Sequence, residues 1–194
     1  MRHTSEKNAT EPAPWILRLA YWSILVIHDN PLLPLIKDPY KTLKQAGLKP
    51  GQKVLEVGCG PGFFTIPAAD IVGKKGLVYA VDLNPHAIKR IQKKIARCGA
   101  DNIRPMCTNA SSTGLADQSI DLGFLFGLPR IAGGEASLLK ELNRLLKPGA
   151  VLACGKGRSL GKKQIMRLEA SGFFLKKTDG GILCFLKNES SETD

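Results

Sequence analysis

Strand-sized and helix-sized apolar segments alternate along this chain. Short runs rich in Val, Ile and Leu fall at residues 54–57, 77–81, 103–108, 120–126, 150–154, 173–177 and 182–186. Between most of them, apolar residues recur at helical spacing, at 39–45, 65–72, 85–98, 135–146 and 161–171. In one such stretch Ile88, Ile91 and Ile95 share a face, while Lys89, Arg90, Lys93, Lys94 and Arg97 take the other. That basic side reads as a solvated outer face. Leu138, Leu139, Leu142, Leu145 and Leu146 line one side of another helix. Strands alternating with helices point to an α/β fold built on a parallel sheet.

Punctuation residues sharpen the boundaries. Asn84 followed by Pro85 is a cap with proline at the first helical position, and Gly99 stops that helix. Gly47 and Gly172 end two others. Pro67 is tolerable only in an opening turn. Pro105 cannot donate to a ladder, which sends the 103–108 strand to a sheet edge. Lys147-Pro148-Gly149 is expected to turn the chain into the strand at 150–154. Thr178-Asp179-Gly180-Gly181 is a hairpin signal between the final two strands.

Three domain-level segments follow: an N-terminal arm and apolar helix at 1–39, the α/β domain at 40–187, and a polar, disordered tail at 188–194. Residues 1–14 are polar with two prolines, a loose arm. The segment 15–27, opening on Trp15 and closing on Ile27, is apolar almost all round and broken mainly by Arg18. It is too short to span a bilayer and lacks a signal-peptide cleavage pattern. Two readings of it stay open. One is a helix packed on the domain and lidding its cleft; the other is an interfacial helix that meets lipid or a greasy substrate.

The stretch 53–65, KVLEVGCGPGFFT, organises the domain. Val54, Leu55 and Val57 form a buried parallel strand, and Glu56 interrupts it where a carboxylate is costly unless something binds it. Gly58, Gly60 and Gly62 then allow a sharp turn with no Cβ between backbone and ligand. The amides of the next helix face the mouth of that turn. About 20 residues further on, the strand at 77–81 ends on Asp82, placed to accept hydrogen bonds from ribose hydroxyls.

Glu56-Val57-Gly58-Cys59-Gly60-Pro61-Gly62 and Val81-Asp82-Leu83-Asn84-Pro85 together resemble the class I, Rossmann-like S-adenosylmethionine-dependent methyltransferases, as does the LLKPGAVL segment at 145–152. The likeness covers about residues 40–187. It implies a seven-stranded sheet in the order 3-2-1-4-5-7-6, last strand antiparallel, with helices on both faces. It implies S-adenosyl-L-methionine as cofactor, its methionine part held at Glu56, Gly58, Cys59, Gly60 and Gly62 and its ribose at Asp82, beside Leu83. Asn109 and Ala110 fall where the family usually has an acid that binds the adenine amino group. Asn109 can accept that hydrogen bond without charge. Phe126 ends the fourth strand beside the cofactor.

The fourth strand runs into Phe126-Gly127-Leu128-Pro129. Relatives that methylate amino groups of bases or glutamine often carry Asn/Asp-Pro-Pro-aromatic there, so the resemblance argues against such acceptors. Methyl transfer from a sulfonium needs alignment and exclusion of water, and a base only where the acceptor keeps its proton. Tyr21 and His28 are candidates for that base, both in or beside the apolar N-terminal segment. His86 lies in a first helical turn beyond Asp82 and reads as a surface histidine.

Lys and Arg number 28 against 17 Asp and Glu, a net charge of +11. That balance is compatible with nucleic acid, an anionic membrane surface or an acidic substrate, and does not choose among them. Cys59, Cys98, Cys107, Cys154 and Cys184 are dispersed, which reads as buried hydrophobes in a reducing cytoplasm. Three scattered histidines lack metal-ligand spacing, so no metal is expected. The favoured expectation is methyl transfer to a small apolar molecule, with peripheral membrane contact through residues 15–27 as a further option. The alternatives are an RNA or protein methyltransferase and a non-catalytic cofactor-binding scaffold.

Overall fold

The computed structural model describes residues 38–126, 134–155 and 161–189. Helix α1 (Pro39–Ala46) is opened by Asp38, whose Oδ1 accepts from the Lys41 amide, and closed at Gly47. Strand β1 (Lys53–Val57) leads to α2 (Thr65–Val72), β2 (Leu77–Asp82), α3 (Pro85–Cys98) and β3 (Ile103–Cys107). Then follow β4 (Ile120–Leu125), α4 (Glu135–Leu145), β5 (Leu146–Gly155), α5 (Lys162–Ala170), β6 (Phe173–Asp179) and β7 (Ile182–Lys187). The N-terminal segment, Tyr21, His28, residues 127–129 and the tail beyond residue 189 lie outside the described residues.

The strands form one sheet in the order β3-β2-β1-β4-β5-β7-β6. β1, β2, β3, β4 and β5 pair in parallel, and β7 runs antiparallel between β5 and β6. This is the expected α/β architecture, with Pro105 on the β3 edge, opposite Ala80. α3 is capped as its sequence requires: Asn84 Oδ1 accepts from His86 N at 2.9 Å, and Gly99 adopts φ +67.

β1 is buried on both faces because alternate residues point to opposite sides. Val54 joins a cluster with Leu43 of α1, Ala68 of α2 and Ile91 of α3. Leu55 joins the other, with Leu138 and Leu142 of α4 and Leu168 of α5. The same alternation turns Glu56 to the Val54 side, under α2.

Two boundaries differ from expectation by two residues or more. Lys147, Pro148 and Gly149 lie inside β5, which begins at Leu146. Ile120 pairs with Leu146 but Leu122 already pairs with Val151, so the extra residues are extruded as an irregularity within one strand. At the far edge the hairpin turn is Gly180-Gly181 alone, both at positive φ, with Thr178 and Asp179 still in β6. Glycine at both central positions permits the tight two-residue connection.

Among the described residues, no helix is long and apolar enough to cross a membrane. Lys89, Lys93 and Arg97 are exposed on α3, as is His86.

The return from α2 to β2 tolerates no side chain at Gly76. A Cβ there would stand 2.5 Å from Val72 Cβ and 2.7 Å from the Gln52 carbonyl oxygen. Gly76→Ala should therefore destabilise the domain by about 1–3 kcal/mol through overpacking. A urea midpoint equal to wild type would contradict this.

Candidate active site at the glycine turn

The turn after β1 is held by the end of β2. Gly58 N and Cys59 N both donate to the Val81 carbonyl, at 2.8 and 3.1 Å, and Gly62 N closes the turn onto the Cys59 carbonyl at 3.0 Å. Gly60 N donates to Asp82 Oδ2 at 2.9 Å, and Asn84 N donates to Asp82 Oδ1 at 2.8 Å. Asp82 thus builds the site as well as lining it: each carboxylate oxygen accepts one amide and keeps a lone pair for another donor.

The glycines divide by task. Gly60, at φ +52, has no atom within 4 Å of where a Cβ would lie, so its free side is open space. Gly62, at φ +87, would place a Cβ 2.9 Å from Ile91 Cγ1, and its bareness serves the packing of α3. A β-branched residue at Gly60 would add backbone strain to any steric block, so alanine is the gentler probe of that space.

Glu56 is buried, and its Oε2 accepts from the Thr65 hydroxyl. Burial drives its pKa up to about 8; the Thr65 hydrogen bond opposes this and the nearby Asp82 charge reinforces it. Thr65 escaped notice in the sequence. Its signal was a hydroxyl on the first residue of the helix that covers an unpaired strand carboxylate. Cys59 is buried beside the same acids; burial first, then Glu56 and Asp82, hold its thiol far above the ordinary range. It is a neutral packing group, not a nucleophile.

Leu83, 46% exposed, extends an apolar surface next to Asp82. Across from it, Thr108 N donates to the Asp82 carbonyl at 3.1 Å and starts the connection bearing Asn109 and Ala110. Asn109 Oδ1 accepts from Ser111 N at 2.9 Å, so one of its lone pairs is already engaged within the loop. Phe126, at the end of β4, packs edge-on against Phe64 at 5.0 Å and stacks with Phe124 at 5.2 Å. It is as much a part of the core as of the opening. Glu56, the glycine turn, Asp82 and Leu83 are therefore brought together by β1 and β2. Tyr21 and His28 lie outside the described residues, and His86 is exposed on α3. Among the described residues, no group of three or more His, Cys, Asp or Glu is arranged to hold a metal ion.

A glycine turn and a second-strand acid at the C-terminal edge of a sheet ordered 3-2-1-4-5-7-6 define a Rossmann-like methyltransferase domain. Residues 54–149 match the family model described as a methyltransferase domain. The match and the fold together support the class I S-adenosylmethionine-dependent methyltransferase family, whose cofactor is S-adenosylmethionine. A demethylmenaquinone methyltransferase of Geobacillus stearothermophilus is 31% identical over 113 residues, 58% of this chain and 48% of that relative. The chain thus spans about half the length of the curated relatives it matches. The crystal structure of a SAM-dependent methyltransferase from Aquifex aeolicus superposes with a TM-score of 0.74 at 27% identity, covering 84% of this chain and 97% of that one. A Methanococcus maripaludis structure described as a methyltransferase shares the fold at 15% identity, with a TM-score of 0.74 over 96% of this chain and all of its own.

The site fits the cofactor chemically. The space beside Gly60 leaves bare backbone open to a ligand, and the remaining lone pairs of the Asp82 carboxylate suit the hydroxyls of a diol.

Glu56 makes the stability of the ligand-free protein depend on pH. Its folded pKa, near 8, lies above the ordinary carboxylate value of 4.5. The folded state therefore binds a proton more tightly than the unfolded chain. That contribution is complete below 4.5 and is lost as pH rises through 8. Glu56→Gln should flatten this fall. Melting temperatures of wild type and variant that decline in parallel from pH 5 to about 8.5 would refute it.

Proposed function

We propose that this chain transfers a methyl group from S-adenosylmethionine to a small, apolar acceptor. The observation that carries the reading is the Asp82-braced turn with its open side at Gly60, on a chain that matches this family's model. The acceptor class draws support from the relative named for demethylmenaquinone and from the apolar Phe126 at the end of β4.

In this reading Asp82 accepts from the ribose hydroxyls, and Gly58, Cys59, Gly60 and Gly62 leave room for the methionine part. Glu56 stands beneath them, Leu83 flanks the adenine, and Asn109 and Ala110 bound its edge. Bound S-adenosylmethionine supplies an electrophilic methyl with a neutral thioether as leaving group. The protein's task is to hold acceptor and methyl in line and keep water out. The apolar sequence of residues 15–27 suits them to the task of excluding water on the acceptor side, with Tyr21 and His28 as the candidates for a base. In that division, residues 1–39 serve the cleft, 40–187 form the cofactor domain and 188–194 are a tail.

Tritiated S-adenosylmethionine incubated with the protein and a fractionated cell extract tests the acceptor class. Label should enter the apolar small-molecule fraction. Asp82→Ala should weaken cofactor affinity in calorimetry by about ten- to a hundredfold, losing charge-assisted hydrogen bonds. Label confined to RNA or protein would overturn the acceptor reading, and wild-type affinity in Asp82→Ala would overturn its role.

Removing residues 1–29 tests the lid. Cofactor affinity should stay within about threefold while methyl transfer disappears, since the cofactor domain is retained and water exclusion is lost. Retained activity on a soluble acceptor with lost liposome binding would instead identify an interfacial anchor. A collapsed thermal transition would identify a core helix.

A further inference from the structure

Among the described residues the buried acids are Glu56, already placed at the turn, and Glu141 on α4. Glu141 belongs to no part of the glycine turn, yet its carboxylate is fully employed. Oε1 accepts from Thr113 N, Thr113 Oγ1 and Arg144 Nη2, each at 2.9 Å, and Oε2 accepts from Arg144 Nε at 2.9 Å. Arg144, with the Thr113 donors, holds the carboxyl down to about 2, so it is ionised at any ordinary pH.

The same helical turn grips the β3–β4 connection again. Arg144 pairs with Asp117, and its carbonyl accepts from Gln118 N at 2.9 Å. Upstream, the connection hangs from the Asp82 carbonyl through Thr108 N at 3.1 Å, and Ser112 N bonds the Asn109 carbonyl at 3.0 Å. Ala110 and Leu115 pack against the apolar cluster that includes Leu138 and Leu142 of α4. Asn109 and Ala110 are therefore suspended between two anchors, β2 on one side and Glu141 on the other.

We propose that Glu141 is a positioning residue for the adenine end of the cofactor site, fixing through Thr113 the segment that carries Asn109 and Ala110. This rests on the reading of those two residues as the adenine edge. The carboxylate never meets the cofactor. It supplies the acceptor that lets a connection without regular structure hold one shape, because the buried Thr113 amide and hydroxyl hydrogens would otherwise lack an acceptor, although the hydroxyl oxygen also accepts from Leu115 N at 3.2 Å. Glutamine at this position sets an NH₂ group against either the Thr113 donors or Arg144, and cannot serve both.

The test is calorimetry on the full chain with two probes, S-adenosylhomocysteine and its counterpart whose purine lacks the 6-amino group. Wild type should prefer the adenine form by about five- to tenfold, the worth of one hydrogen bond, and Glu141→Gln should narrow this to about twofold or less. Thr113→Val, which removes the hydroxyl and keeps the backbone amide, should shift the ratio the same way by a smaller factor. Loosening of the fold alone would weaken both probes equally and leave the ratio intact. A wild-type ratio in both folded variants, or equal binding of the two probes by wild type, overturns the proposal. Failure of wild type to bind S-adenosylhomocysteine would instead bring down the cofactor-site reading beneath it.

Discussion

The Gly60 amide donating to the Asp82 carboxylate joins the C-terminal ends of two neighbouring strands. The same carboxylate takes the Asn84 amide at 2.8 Å on its other oxygen. The turn amide lies beyond the end of the β1 ladder, and a carboxylate at a strand end needs donors to offset its desolvation. Once the bond forms, the turn lies at the open edge of the sheet with its bare side outward. α2 then starts where Thr65 can reach Glu56, and α3 starts where Ile91 can close against Gly62.

This arrangement needs β1 and β2 in parallel register, and the register follows from burial. Val54 and Leu55 serve opposite apolar clusters, so a slip of one residue would expose one cluster's partner and bury Lys53. It would also move Glu56 away from Thr65 and across the sheet. Packing and polar pairing thus select the same alignment, which is the local and global agreement a foldable sequence shows.

Most of the fold was legible because its signals are short in range. Asn84-Pro85 and Gly99 bound α3 by capping chemistry, and Pro105 set β3 at the edge by lacking a donor. The misjudged start of β5 had a different origin. Pro148 and Gly149 carry turn chemistry, but Leu146 is already paired with Ile120, and tertiary pairing overrode the local preference. At the site, Gly60 and Asp82 could be read from type and spacing. Thr65, Thr113 and Glu141 could not, because each acts through a partner that only the folded chain brings near. Nothing in the spacing of Thr113 and Glu141 links them, for their pairing depends on how α4 lies over the sheet.

The two ends of the sheet bear on how the protein behaves among copies of itself. A row of unpaired strand amides is a template for another strand, and a seven-stranded sheet has two such rows. On β3 the row is broken by Pro105, which offers no hydrogen to an incoming chain. On β6 the pairing with β7 shifts register between Leu175 and Lys177, and both Lys176 and Lys177 are exposed there. Irregular backbone and like charge would meet any second β6 approaching side by side. The apolar side chains of Phe174 and Leu175, exposed on that strand, are accompanied by features that resist β-aggregation.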